Sequence, residues 1–186
     1  MDTAAPAADL WRGVFGNAHP VEIEIGPGRG DVLLAFAAER PATNFFAIEH
    51  ASGQADAVAA EARVRGLVNI RVVGGDARSI VRDLVPPASA SAVHVYFPDP
   101  WPKTRHRHRR LFDRPDLAEA IRRALVPGGL VHVASDLASL HAAMCARLAA
   151  AGLVTSDTPG PLRAVSKFER KYAAAGTYAA SFVRPP

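Results

Sequence analysis

The sequence holds a single cysteine, Cys145 in "HAAMCARLAAAG". That excludes an internal disulfide and a cysteine-built zinc site, and leaves a small packing residue as the expectation. No apolar run approaches the roughly 18 residues that a membrane-spanning helix needs. The opening "MDTAAPAADLWRG" carries an early acid and no basic segment leading into an apolar one, so no secretory signal is read and the cytoplasm is the expected compartment. One absence is local: residues 101–110, "WPKTRHRHRR", contain five Lys/Arg and no acid. The rest of the chain carries 17 basic residues against 18 acidic ones, so the formal charge of +4 is a patch. A patch of this kind points to a polyanionic partner such as nucleic acid; a solvated basic loop is the alternative.

What is present is one domain's length of chain, 186 residues, with 49% apolar and 22% charged residues. That is a globular balance, and residues 1–186 are expected to form one domain. Strand-like and helix-like runs alternate five times: "VEIEIG" then "DVLLAFAAER", "NFFAIEH" then "GQADAVAAEARVRG", "NIRVVGGD" then "ARSIVRDLV", "SAVHVYFPD" then "DLAEAIRRALVPGG", "LVHVASD" then "LASLHAAMCARLAAAG". Such alternation predicts an α/β fold with a mostly parallel, doubly wound sheet covered by helices on both faces. Pro127 and the two glycines after it are expected to stop the fourth helix. Residues 1–20 form a short leading segment. Residues 153–186 hold a loop and then "YAASFV", which suits an antiparallel strand at the sheet edge.

Each of the five strands ends on or beside an acid: Glu24, Glu49, Asp76, Asp99 and Asp136. In open parallel sheets ligands bind beyond the carboxyl ends of the strands, so these acids should line one crevice. Taken singly, Asp76 and Asp136 also suit helix N-caps. A half-exposed edge strand would likewise explain Glu22 and Glu24 alternating with Val21, Ile23 and Ile25. The loop "EIGPGRGD" spaces Gly26, Gly28 and Gly30 as G-x-G-x-G, which allows a sharp turn and a close ligand approach. Asp31 at the following helix start would repel a phosphate, while Glu49, at the end of the second strand, suits ribose hydroxyls. The order of these motifs resembles the class I methyltransferases, and for a ribose-bearing ligand without phosphate that resemblance implies S-adenosylmethionine. Glu49 would hold the ribose, Asp76 and the Ala77 backbone would meet the adenine edge, and Glu24 with the glycine loop would face the methionine end.

"VYFPDPWPKTRHRHRRL", with "VEIEIGPGRGD", "NFFAIEH", "ASD" and "SKFERKYAAAG", resembles the bacterial tRNA (guanine-N7-)-methyltransferase family from about residue 21 to 176. The resemblance implies a Rossmann-like class I methyltransferase fold, with S-adenosylmethionine as donor and S-adenosylhomocysteine as product. It implies tRNA as partner, a guanosine of the variable loop as target, and no metal. Glu24, Glu49, Asp76 and Asp99 match the family's cofactor contacts. Asp99 also takes its catalytic position, and Lys103 and Asp136 match its substrate contacts. The family's late T-K-F-E motif stands here as Ser166, Lys167, Phe168 and Glu169; serine keeps the hydroxyl and loses the methyl. The leading segment is short beside many relatives. On this basis Arg105, Arg107, Arg109 and Arg110 are expected on RNA phosphates. Trp101 is assigned to packing. A class I methyltransferase acting on another RNA or a small molecule, a nicotinamide-dependent oxidoreductase, and a non-enzymatic RNA-binding module are the rivals; monomer and homodimer both stay open.

Overall fold

The computed structural model describes residues 4–101, 103, 105, 110–160 and 176–186. In chain order the elements are α1 (Ala4–Phe15), β1 (Val21–Ile25), α2 (Asp31–Glu39), β2 (Asn44–Glu49), α3 (Ser52–Val64), β3 (Ile70–Gly74), α4 (Ala77–Asp83), β4 (Ala90–Tyr96), α5 (Asp116–Ala124), β5 (Leu125–Ser135), α6 (Ala138–Ala150), β6 (Val154–Ser156) and β7 (Tyr178–Val183). One seven-stranded sheet runs β3-β2-β1-β4-β5-β7-β6. The first five strands are parallel, and β7 pairs antiparallel with both β5 and β6. Among the described residues, no helix is long and apolar enough to cross a membrane.

The central strands are covered on both sides, which is why "VEIEI", "NFFAIE" and "ASAVHVY" carry so much aliphatic and aromatic content. On one face Trp11 and Phe15 of α1 pack with Phe46, Ile23, Val93, Leu117 and Ile121. On the other, α2 and α3 bring Leu33, Phe36 and Val58 onto Phe45 and Ala47. α5 shows how the pattern works: Leu117, Ala118, Ala120, Ile121 and Ala124 are buried, while acids open the helix and Arg122 and Arg123 close it, each sign matched to the dipole.

Four features depart from expectation. β1 is central, so Glu22 and Glu24 are not the exposed side of an edge strand. The fourth strand-helix unit's helix stops at Ala124, before the Pro-Gly-Gly segment, and β5 already begins at Leu125, whose backbone is extended. Pairing with β4 then jumps from Ala90↔Leu125 to Ala92↔Leu130, so residues 126–129 bulge out of the strand; proline lacks the ladder donor and Gly128 takes a φ of 77°. "YAASFV" is antiparallel but lies inside the sheet, with the short β6 outside it. α1 has no counterpart in the sequence-based expectation; its Trp11 packs on Phe46 at 5.2 Å between ring centroids.

Candidate active site

β1, β2 and β3 step outward in one direction and β4 returns to the other side of β1, so the strand order reverses between β1 and β4. A crevice is expected beyond the carboxyl ends at such a point. A cavity of about 1120 Å³ opens there, lined among others by Glu24, Gly26, Gly28, Glu49, Asp76, Ala77 and Asp99. Seven residues singled out from the sequence are thereby brought to one space from four strand ends.

The loop from β1 to α2 is fixed by its own backbone. Gly26 donates to the Ile48 carbonyl at 2.8 Å and Gly30 to the Pro27 carbonyl at 2.8 Å. All three glycines take φ between 55° and 76°, where an L side chain is strained. A Cβ on Gly26 or Gly28 would meet nothing within 4 Å beyond its chain neighbours, so the loop borders open space there. Gly30 differs: it is not among the residues that line the cavity, and a Cβ there would come within 2.7 Å of Val58 Cγ1. It is glycine because α3 packs against the loop.

Glu49 ties this loop to its neighbour. One carboxylate oxygen accepts the Gly28 N–H and the other the Ala51 N–H, each at 3.0 Å. A carboxylate has about four acceptor positions, so the group is held in place with capacity left for hydroxyls. Asp76 caps α4, accepting the Arg78 N–H at 3.2 Å. The capping role and the cavity position hold together.

Glu24 is 4% exposed. Its carboxyl has no hydrogen-bond or ion-pair partner among the described residues, and burial alone pushes it up to about 8. A buried acid facing a cavity without a partner is suited to a cationic ligand group, which would restore its charge. Glu22, two residues earlier, is enclosed differently. It accepts from Arg40 Nη1 at 2.8 Å and sits 2.8 Å from His94 Nε2. Burial would raise its carboxyl, but the His94 and Arg40 contacts outweigh this and hold it below the usual value.

β4 ends at the turn that carries Asp99. Phe97 donates to the Ala134 carbonyl at 2.8 Å and then takes a φ of 49°; Trp101 takes 39°. Bulky residues in the left-handed region cost about 1–3 kcal/mol each and persist where the surroundings over-determine them, commonly at functional sites. They bracket Pro98, Asp99 and Pro100, and Asp99 lines the cavity between them. Trp101, assigned to packing from the sequence, is half-buried and forms part of the cavity wall. Arg29, His50, Arg78, Tyr96 and Leu111 also line it. Their types gave no signal of their own; only the strand order brings them in.

Asp136 follows β5, one strand beyond the reversal, and does not line the cavity. Lys103 and Arg105 are exposed. Arg110 is half-buried, with Nε and Nη2 donating to the Trp101 carbonyl at 3.2 and 3.1 Å. Arg107, Arg109, Ser166, Lys167, Phe168 and Glu169 lie outside the described residues.

Residues 18–181 match the model of a family described as "Putative methyltransferase". The tRNA (guanine-N(7)-)-methyltransferase of Mycolicibacterium paratuberculosis is 37% identical, over 94% of this chain and 68% of that protein. Those of Geobacter metallireducens and Streptomyces avermitilis are 42% and 44% identical over 73% of this chain, and 63% and 46% of their own lengths. The chain thus spans about half to two thirds of the length of the curated relatives it matches. Among solved structures, a 16S rRNA (adenine(1408)-N(1))-methyltransferase from Catenulisporales acidiphilia, crystallised with its cosubstrate SAM, superposes with a TM-score of 0.67 at 16% identity, over 100% of this chain and 92% of that one. The cyclase SpnF superposes with a TM-score of 0.64 at 17% identity, over 98% and 82%. At such identities the likeness shows a Rossmann-like class I methyltransferase fold, which a cyclase shares, and fold alone names no reaction. With a relative at this identity covered over two thirds of its length, the chain belongs to the tRNA (guanine-N(7)-)-methyltransferase family.

Proposed function

We propose that this chain transfers a methyl group from S-adenosylmethionine to N7 of a variable-loop guanosine in tRNA. The observation that carries the proposal is the meeting of two features at the end of β4: Asp99 lines the same cavity as Glu24, Glu49 and Asp76, and the exposed Lys103 and Arg105 follow it directly.

The residues present suit the cofactor. Glu24 offers a buried carboxyl without a partner among the described residues, the Gly26 and Gly28 turn borders open space, and Glu49 keeps acceptor capacity. Glu24 would face the ammonium and sulfonium end, Glu49 the ribose hydroxyls, and Asp76 with the Ala77 N–H the adenine edge. S-adenosylmethionine supplies an electrophilic methyl carbon bound to a positively charged sulfur.

Guanine N7 bears an in-plane lone pair and no proton, so the chain needs no general base there. Positive charge passes to the purine as the bond forms. The Asp99 carboxylate, fixed at the rim by its two prolines, is placed to stabilise that charge and to accept from guanine N1–H or the 2-amino group. Holding the base in line with the methyl group supplies acceleration of its own. Lys103 and Arg105 would engage phosphates, together with Arg107 and Arg109; Asp136 and the 153–186 end of the domain, with Ser166 to Glu169, would contact the target nucleotide. A cytoplasmic location suits a tRNA substrate.

The test is methyl incorporation into tRNA purified from cells lacking 7-methylguanosine, with nuclease mapping of the product. Wild type should label one variable-loop guanosine. Asp99→Ala should lower kcat by about 100-fold or more while cofactor affinity stays within a few-fold. Normal cofactor binding without transfer to tRNA, alongside transfer to another RNA or a small molecule, would reject tRNA as the substrate.

A further inference from the structure

We propose that Arg110 is a positioning residue for the catalytic turn and not a phosphate contact: its guanidinium grips the Trp101 carbonyl and thereby fixes Asp99. In its activity arm this rests on the methyl-transfer function proposed above.

The turn needs a pin from outside. Pro98 and Pro100 have no N–H to donate, so the segment around Asp99 has two fewer amides with which to secure itself. On the β4 side the sheet does the work, through the Phe97 N–H on the Ala134 carbonyl. On the far side Trp101 is left-handed at a φ of 39°, and its carbonyl accepts both Nε and Nη2 of Arg110. A planar guanidinium holds Nε–H and Nη2–H side by side so that both can converge on one oxygen, which an ammonium cannot do in the same fixed geometry.

Arg110 is itself held. Its carbonyl accepts from Arg78 Nη2 at 3.3 Å and from the Asp113 N–H at 3.2 Å. Just beyond, Arg147 donates to the Phe112 and Asp113 carbonyls at 3.3 and 2.8 Å, and the Phe112 side chain is buried in the core. The platform therefore belongs to the fold, and the grip extends from it to the strained turn. Arg78 is two residues past Asp76, so the same contacts run from the proposed adenine edge to the catalytic loop. Lys103 and Arg105 stand exposed on the same basic run; Arg110 is half-buried, with two of its five donors committed to its own chain.

Steady-state kinetics on tRNA separate grip from phosphate contact. Arg110→Lys keeps the charge but not the fork, so kcat should fall about 100-fold with the tRNA KM and its salt dependence unchanged. Arg110→Ala should behave alike, and Arg110→Lys carries the test if the alanine variant does not fold. A phosphate contact predicts the reverse: lysine restores kcat, and alanine raises KM and flattens the salt dependence. That result would overturn the proposal.

A second arm needs no turnover. In a Trp11→Phe background Trp101 is the only tryptophan, and Arg110→Lys should increase its acrylamide quenching; unchanged quenching would overturn the grip. If wild type transfers no methyl to tRNA, the proposed function fails, and the quenching result still decides on Arg110.

Discussion

Glu22 and Glu24 stand two residues apart on β1, on the same face of the sheet, and both are enclosed. Glu22 is neutralised by its own protein: Arg40 and His94 surround it and hold its carboxyl low. Glu24 faces a cavity with no such partner, and burial lifts its carboxyl to about 8. The first is a finished piece of structure. The second has no such partner among the described residues, and that difference is why the proposed cofactor's cationic end is assigned to it.

The largest expected effect comes from removing the unfinished acid. With a folded pKa of about 8 and an ordinary value of 4.5, folded Glu24 keeps a proton that the unfolded chain has lost. Stability therefore falls by about 1.4 kcal/mol per pH unit across that window. His132 acts oppositely. Burial first, and then the nearby His94, lower it from 6.5 to about 4, so its contribution is present above pH 6.5 and is lost as pH falls toward 4. Wild type should be nearly level between pH 4.5 and 6.5 and decline from 6.5 to 8. Glu24→Gln should instead gain stability up to 6.5 and then stay level, diverging from wild type by about 4 kcal/mol at pH 8. Urea unfolding across the pH series measures this, and parallel curves would erase the contrast.

Glu22→Gln should cost about 3 kcal/mol by stranding Arg40 and His94, with cofactor affinity unchanged. Because the Glu22 carboxyl is held low, its contribution is present above pH 4.5 and fades as pH falls through its depressed folded value. The gap to wild type should accordingly close in acid.

Binding of a cation beside Glu24 should expel its proton. Calorimetry at pH 7 in buffers of different ionisation enthalpy should detect about one proton released on binding S-adenosylmethionine, and none with Glu24→Gln. Below pH 8 the affinity should rise by up to about tenfold per pH unit. The same division between packed and open continues into the glycine loop. Gly30→Ala, pressed on Val58, should lose about 2 kcal/mol, whereas Gly26→Ala should lose about 1 kcal/mol and show its main effect in cofactor affinity. Melting temperatures with and without cofactor separate the two.

Legibility followed the range of the interactions. The five strand-helix alternations were readable because period and burial are local properties of the sequence. α1 was hidden because its start is alanine-rich and carries Pro6, which locally signals a break and not a helix. β6 is three residues long, too short to show a period. Pro127 marked a boundary, but β4 decides whether the backbone there ends a helix or bulges a strand. Glu24, Glu49, Asp76 and Asp99 were found as strand-end acids and do converge. Asp136 satisfied the same rule and stands outside the cavity, because strand order, which no local pattern states, places β5 beyond the reversal. The Arg110 contact with Trp101 was hidden for a related reason, since among several arginines in a row only three-dimensional placement distinguishes one side chain from the rest.

The placement of β7 has a consequence for how the chain is assembled. Among the described residues β6 pairs with β7 alone, and β5 pairs with β4 on one side and β7 on the other. During synthesis both must wait, β5 with an open edge, until Val183 has left the ribosome and the late strand can slot between two earlier ones. Phe182, 2% exposed, then seals the core beside Val131. Nascent chains stalled before that point should be the ones that chaperones hold.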